Sequence, residues 1–527
     1  MHADAEGAGL PTSVDPEPGP EVTVDVAVIG AGPAGLAAAV TAAGAGCTVA
    51  LVDSGARPGG QFFRQPAPDL AFSPGITRPR HRGHRAFRAL TAALSRANHR
   101  DDGRVTELFQ HHVWHVATDP TNTERAVTLH AAVGEPPRRR RVVHARCLVL
   151  ATGAYDRTLP FPGWDLPGVL TAGGAQSLIK AQDTPPGHNV VVAGTGPFLL
   201  PVAAGLARAG CRVPAVVEAS AARVSGPRMA KSVVGAGAHL GTKLVEAAGY
   251  AAALARNRIP VYTGHAVVAA HGADRVHAVT LAPVDRDWHP RMDRSWRLPC
   301  DTLAVGYGFT PQLELPISLG CTIRTDTDGN LVVSVDADQR TSVPGVMAAG
   351  ESTGVAGAET ALAEGTIAGR VAAGHCGAGA PSRSHETALR RLRAHRSRLH
   401  RFAAALHAAY PVPDGRHAPP GWSTWLTEDT IVCRCEDVPL SLLRIAATEL
   451  GATDARTAKL LARPGMGWCQ GRMCGWATTC LTAGLSGQAP TTVELTGTAR
   501  RPLARPIPLH LLAESTPPSH EGTSDDA

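Results

Sequence analysis

The sequence is poor in features that mark several common classes of protein. Aromatic residues make up 4% of its 527 positions, and none is interleaved with the densest basic run, Arg138–Arg141, so the stacking surface of a nucleic-acid binder is missing. A net charge of +6 is small for this length. The basic run, set between the strand-like stretches AVTLHAAVG and VVHARCLVL, reads as an exposed hairpin. No run of about 18 uncharged apolar residues argues for a membrane span, and the N-terminus lacks the basic-then-apolar pattern of a secretory signal. These absences predict a cytoplasmic protein that binds neither nucleic acid nor membrane. The chain also has no Ser/His/Asp constellation, no paired-carboxylate motif and no metal-hydrolase signature. Its 23 histidines are scattered, with His111, His112 and His115 near one another and read as surface or core residues.

What is present is enough apolar sequence, 44%, for two or three hydrophobic cores. The 56 glycines and 42 prolines are spread among Val- and Ala-rich segments. They concentrate only at the ends, where 1–20 and 515–527 read as solvated tails.

Residues 22–30 (VTVDVAVIG) form a strand pattern that runs into Gly30-x-Gly32-Pro33-Ala34-Gly35 and then an Ala-rich helix pattern. Glycines at these points allow a tight turn, close approach of a pyrophosphate, and packing of helix on strand, while the helix N-terminus supplies amide donors. A second strand, CTVALVD, ends at Asp53, where a carboxylate accepts hydrogen bonds from an adenosine ribose. Residues 189–208 repeat the arrangement as Gly194-x-Gly196-x-x-Leu199, followed by a strand ending at Glu218. The third glycine is missing here, which predicts a helix set further from its strand. A carboxylate at 218 repels a 2'-phosphate, so NAD or another adenine nucleotide is the expected occupant, with an empty scaffold as the alternative.

Toward the C-terminus, Cys433-Arg-Cys435 and Cys469-x4-Cys474 are separated by 33 residues. Four thiolates at this spacing can close around two irons or one zinc, and Arg434 and Arg472 are placed to offset their charge. Six further cysteines (47, 147, 211, 300, 321 and 376) stand alone in sequence, and Cys480 lies outside the pattern. All seven read as small buried hydrophobes. No Cys pair lies near either nucleotide segment, which disfavours a thioredoxin-reductase-like activity.

With the fingerprint, Arg57-Pro-Gly-Gly60-Gln61, Ala151-Thr152-Gly153 and Ala348-Ala-Gly350-Glu351, the stretch 22–375 resembles the two-dinucleotide-domain flavoproteins. In that family the ATG and late AAGD segments return to one FAD. The resemblance implies that Gly350 and Glu351 lie near the flavin ribityl and pyrophosphate, with Glu351 standing where the family commonly has Asp. CRCED and GMGxCQGRMC resemble the [2Fe-2S] domain related to bacterioferritin-associated ferredoxin, which makes Cys433, Cys435, Cys469 and Cys474 the implied ligands. End to end, the order of motifs resembles the alpha subunits of opine oxidases, hydrogen cyanide synthase and dye-linked proline dehydrogenases, with kinship to the sarcosine oxidase alpha chain.

The expected fold is therefore α/β, with two Rossmann-like dinucleotide-binding domains in a glutathione-reductase-like arrangement and a small α-rich iron-sulfur domain. The expected division is a tail at 1–20, an FAD domain of 21–165 and 300–380, and a second dinucleotide domain at 166–299. A helical linker at 381–422, the cysteine domain at 423–490 and a C-terminal tail at 491–527 complete it. The resemblance implies an electron-relaying subunit beside a D-amino-acid-oxidase-like flavoprotein beta subunit that oxidises an amino-acid or opine-like amine, and it allows a small ferredoxin-like subunit. A stand-alone NAD(P)H-dependent flavin reductase and a non-catalytic nucleotide-binding scaffold are the alternatives.

Overall fold

The computed structural model describes residues 21–66, 83–98, 104–220, 239–378, 383–416 and 419–513, so the expected tails at 1–20 and 515–527 lie outside the described residues. The first sheet has seven strands. Val22–Ile29 is flanked in parallel by Val49–Val52 and Arg139–Leu150, Val105–Leu108 extends one edge, and Val127–Val133 and His111–Thr118 run antiparallel on the other. Val346–Ala348 also pairs with Arg139–Leu150, so the chain returns to this sheet late in its length.

The helices Pro33–Gly44 and Ala358–His375 cross on one face of the sheet with almost no side chain between them. A Cβ at Gly365 would stand 2.0 Å from the Ala34 carbonyl oxygen, and one at Gly369 would stand 2.4 Å from that of Ala38. The small-residue composition of both helices is what permits this approach.

The second sheet is wholly parallel, in the order Val261–Thr263, Val216–Glu218, Val190–Gly194, Thr302–Gly306, Val169–Thr171. Thr302–Gly306 therefore belongs to the second sheet, not to the first module as its sequence position suggested. Its hydrogen bonds to Val190–Gly194 place it there, and the chain crosses back only after Gly306.

The helix Arg383–Ala409 follows where a linking helix was expected. Beyond it, the short helices Leu440–Thr448, Ala455–Ala462 and Gly475–Leu485 form the cysteine module. The core of this module is continuous with that of the second sheet: Leu443, Ala458 and Leu481 share one apolar cluster with Val191, Val217 and Trp288. Trp425 stacks on Trp288 and donates its Nε1–H to the Trp288 carbonyl at 2.9 Å.

Residues 491–513 were expected to begin a tail, and instead they pack. Thr491 closes a capping box with Glu494 at the start of the helix Thr492–Ala499. Ala504 N–H then donates to the Trp114 carbonyl at 2.8 Å, and Leu511 is buried against Trp114. No helix among the described residues is long and apolar enough to cross a membrane.

Candidate functional site

The first fingerprint lies at the C-terminal edge of the first sheet, where the chain reverses into its helix. Pro33 occupies the first helical turn, where its missing N–H costs nothing. A Cβ at Gly35 would meet the Gly30 carbonyl oxygen at 1.7 Å and one at Gly30 would meet that of Ala151 at 2.2 Å, so both positions are closed to any side chain. Gly32 and Gly153 differ: a Cβ at Gly32 finds only the Gly60 Cα, at 4.0 Å, and one at Gly153 finds nothing within 4 Å. The backbone there borders open space beside a helix N-terminus, as a pyrophosphate cradle requires. Asp53 accepts from the amides of Ala31 (2.5 Å) and Gly55 (2.6 Å). Burial nevertheless pushes its carboxyl above the ordinary range. Thr152 donates to the Gln312 carbonyl at 3.0 Å, and Gly350 lies against Ala34. Gly30, Gly32, Ala34, Gly35, Gly60, Ala151 and Gly350 thus converge on one edge, while the Gln61 side chain is exposed.

Glu351 opens a short turn, Glu351–Thr353. Burial, then the charge of Asp156, raises its carboxyl to about 7. The residue that sequence reasoning missed is Glu364. Its carboxylate is completely buried and accepts from the Gly350 amide (2.9 Å), Thr353 Oγ1 (2.9 Å), Arg396 Nε (2.8 Å) and His400 Nε2 (2.7 Å). Arg396 and His400 are spaced i, i+4 on the Arg383–Ala409 helix and so reach the same point. That spacing was the available signal.

At the second fingerprint the helix starts at Leu199, later than the first helix does relative to its glycines, and its opening bonds are long (Leu199 N to Gly196 O 3.2 Å, Val202 N to Phe198 O 3.4 Å). Leu199, where a third glycine would stand, is buried. Glu218 is held by its own chain: Oε1 accepts from Thr195 Oγ1 (2.7 Å) and the Ser220 amide (2.9 Å), and Oε2 accepts from the Gly196 amide (2.8 Å).

All eleven cysteines are free. The two cysteine loops meet where Gly467 lies against Cys435, a Cβ there being 2.4 Å from the Cys435 Cβ. Cys433 is hydrogen-bonded to Cys474, and Cys435 to Cys469. Cys433 also accepts from the Gly465 amide at 3.4 Å. The Cys474 bond and these backbone amides hold the Cys433 thiol down at about 6, which favours a thiolate, and the same bond pushes Cys474 up.

Among the described residues no group of three or more His, Cys, Asp or Glu lies close enough to hold one metal ion. Four thiols in two pairs are a donor set of the kind that a two-metal cluster or a zinc ion would require. Arg434, expected to face these thiols, lies over the Trp164 ring at 5.1 Å and donates to the Asp165 carbonyl, so its charge is directed elsewhere. Arg472 does stay with them, donating to the Cys469 carbonyl at 3.2 Å. Cys147 and Cys376, solitary in sequence, sit with their sulfurs 3.6 Å apart, and Cys47 is hydrogen-bonded to Cys376. Cys147 pairs with Val26, several residues before Gly30, so this group lies toward the other end of the sheet from the fingerprint.

Over residues 24–365 the chain matches the pyridine nucleotide-disulphide oxidoreductase family. It is 34% identical over 450 residues to hydrogen cyanide synthase subunit HcnB of Pseudomonas aeruginosa, covering 85% of this chain and 90% of that one. With an opine oxidase subunit of Agrobacterium tumefaciens it shares 31% identity over 467 residues, covering 86% and 84%. Its fold is similar to that of L-proline dehydrogenase from P. horikoshii, with a TM-score of 0.61 at 20% identity over 93% of this chain and 80% of that one. The chain, with its glycine turn, Asp53 and the returning Gly350 segment at one sheet edge, is an FAD-dependent oxidoreductase and belongs to the pyridine nucleotide-disulphide oxidoreductase family.

Proposed function

We propose that this chain is the alpha-type subunit of a multi-subunit amine dehydrogenase or oxidase. In this reading a partner flavoprotein subunit, resembling D-amino-acid oxidase, oxidises an amino-acid or opine-like amine, and this chain passes the electrons to an acceptor. The observation that carries it is the docking of the cysteine loop on the strand that directly follows Ala151-Thr152-Gly153. Thr158 donates to the Met473 carbonyl at 2.8 Å, and the Tyr155 hydroxyl accepts from Arg472 Nε at 2.8 Å. The names of the relatives, subunits of hydrogen cyanide synthase and opine oxidase, support the multi-subunit part.

FAD and a [2Fe-2S] group would supply two-electron and one-electron redox capacity respectively. Gly30, Gly32, Gly35, Asp53, Gly60, Gly153 and Gly350 would hold the first, and Cys433, Cys435, Cys469 and Cys474 the second. The chain's own contribution is to position the two sites. The free cysteines favour a reducing compartment, the cytoplasm.

The rival reading, a stand-alone NADH-dependent reductase, is weakened by Leu199, which is buried where a third glycine would stand, at the late start of its helix. The second module serves as scaffold in this proposal.

The test is an absorbance spectrum with iron and acid-labile sulfide analysis on protein purified without oxygen. Flavin bands with about two irons and two sulfides per chain are expected. Flavin without iron would overturn the relay.

A further inference from the structure

Where the cysteine loop meets the first module, four side chains from distant parts of the chain share one set of contacts. Tyr155 comes from the strand Ala154–Asp156, Glu314 from the first turn of helix Glu314–Ser318, Arg472 from the cysteine loop, and Arg501 from the C-terminal segment. Glu314 Oε1 lies 2.8 Å from Arg472 Nε and 2.9 Å from Arg501 Nη1, and both Glu314 and Arg501 are nine-tenths buried. Arg472 Nε also donates to the Tyr155 hydroxyl, and its Nη2 donates to the Ala504 carbonyl at 2.5 Å. Arg501 donates in addition to the carbonyls of Gln470 and Thr498. Two guanidinium cations share one carboxylate, which leaves one positive charge uncompensated within the node. That charge sits beside Cys469, whose carbonyl accepts from Arg472. Glu314 and Arg501 are largely withdrawn from solvent, so a fixed charge acts on its neighbours more strongly there than at the surface.

We infer that Tyr155, Glu314, Arg472 and Arg501 form a charge node that docks the cysteine loop and sets the reduction potential of the metal group held by Cys433, Cys435, Cys469 and Cys474. The inference rests on the iron-sulfur reading above. Reduction adds one electron to that group, raises its negative charge by one and breaks no bond. A net cation beside Cys469 therefore stabilises the reduced state. These are positioning residues, none of them a ligand.

The sign of the effect separates electrostatics from structural damage. In the full-length, anaerobically purified chain, a dithionite titration followed by electron paramagnetic resonance reads the midpoint potential directly. Arg472→Gln removes a cation and lowers the potential, whereas Glu314→Gln removes the anion and raises it, both with FAD and iron content as in the wild type. Should Arg472→Gln fail to load iron, Arg501→Gln carries the same change of charge and must shift the potential downward. Potentials that stay put in iron-loaded variants, or that move in the same direction for Glu314→Gln and the arginine variants, overturn the node. Absence of iron and sulfide in the wild type overturns the iron-sulfur reading itself, a different and earlier failure.

Discussion

Glu364 accepts the amide proton of Gly350 at 2.9 Å from within the Ala358–His375 helix, and so fixes that glycine to a helix that begins after it. Arg396 and His400 bind the other carboxylate oxygen. Breaking a buried, hydrogen-bonded charge pair typically costs about 3–5 kcal/mol, so Glu364→Ala should lower stability by that order and shed FAD. Denaturant unfolding and the flavin-to-protein absorbance ratio check it; an unchanged midpoint would sink the assignment.

The same carboxyl governs acid stability. Burial alone would raise its pKa, but the His400 hydrogen bond and the Arg396 charge outweigh burial and hold it below the usual range. A carboxyl depressed in the folded state contributes stability that is complete above its unfolded pKa and is lost as pH falls through the folded one. The contribution should therefore start to fall below about pH 4.5 and be gone only once the pH is under the depressed folded value. Comparing melting curves of the wild type and Glu364→Gln across pH 3–6 should show the two converging at the acid end.

Glu351 behaves oppositely. Its folded pKa, about 7, lies above the unfolded value near 4.5, so the neutral carboxyl contributes stability below pH 4.5 that is lost as pH rises toward 7. At about 1.4 kcal/mol per unit, the cost above pH 7 is at most roughly 3 kcal/mol. In FAD-free protein, Glu351→Gln should flatten stability between pH 4.5 and 7 and raise the melting temperature at pH 8. An unaltered pH profile would refute this.

Gly32 and Gly35 should fail in different ways. A side chain at Gly32 enters open space, so Gly32→Val should fold and yet bind no FAD. At Gly35 even a Cβ meets backbone at 1.7 Å, and Gly35→Ala should not fold. Circular dichroism and flavin absorbance on both variants distinguish the two outcomes.

Cys469→Ser should keep FAD and lose iron and sulfide, whereas NADH added to the wild type without a partner should leave the flavin absorbance unbleached. Iron retained in Cys469→Ser would remove Cys469 from the ligand set. Rapid bleaching by NADH would restore the stand-alone reductase.

Much of this was legible in the chain because local chemistry dictated it. Strand, glycine turn, helix and acid at 22–53 are set by backbone sterics, and the words around Cys433 and Cys469 carry their own close approach in Gly467. What could not be read were partnerships across long separations. Nothing beside Glu364 in the chain marks it as the anchor of Gly350, because its partners are 11, 14, 32 and 36 residues away. Arg434 was legible as a cation beside two cysteines, but its direction depended on Trp164, far off in sequence. Thr302–Gly306 looked like a return to the first module because a buried strand carries no mark of its neighbours.

The contacts of Arg501 and Ala504 with Glu314, Arg472 and Trp114 also have a temporal meaning. Arg501 and Ala504 are made after the surfaces they close on, when the glycine cradle already has its sheet. Domains generally fold as units during synthesis, the N-terminal ones first. The first module can thus take shape while the joint to the cysteine loop is still open, and that joint is completed only once Arg501 and Ala504 have been made.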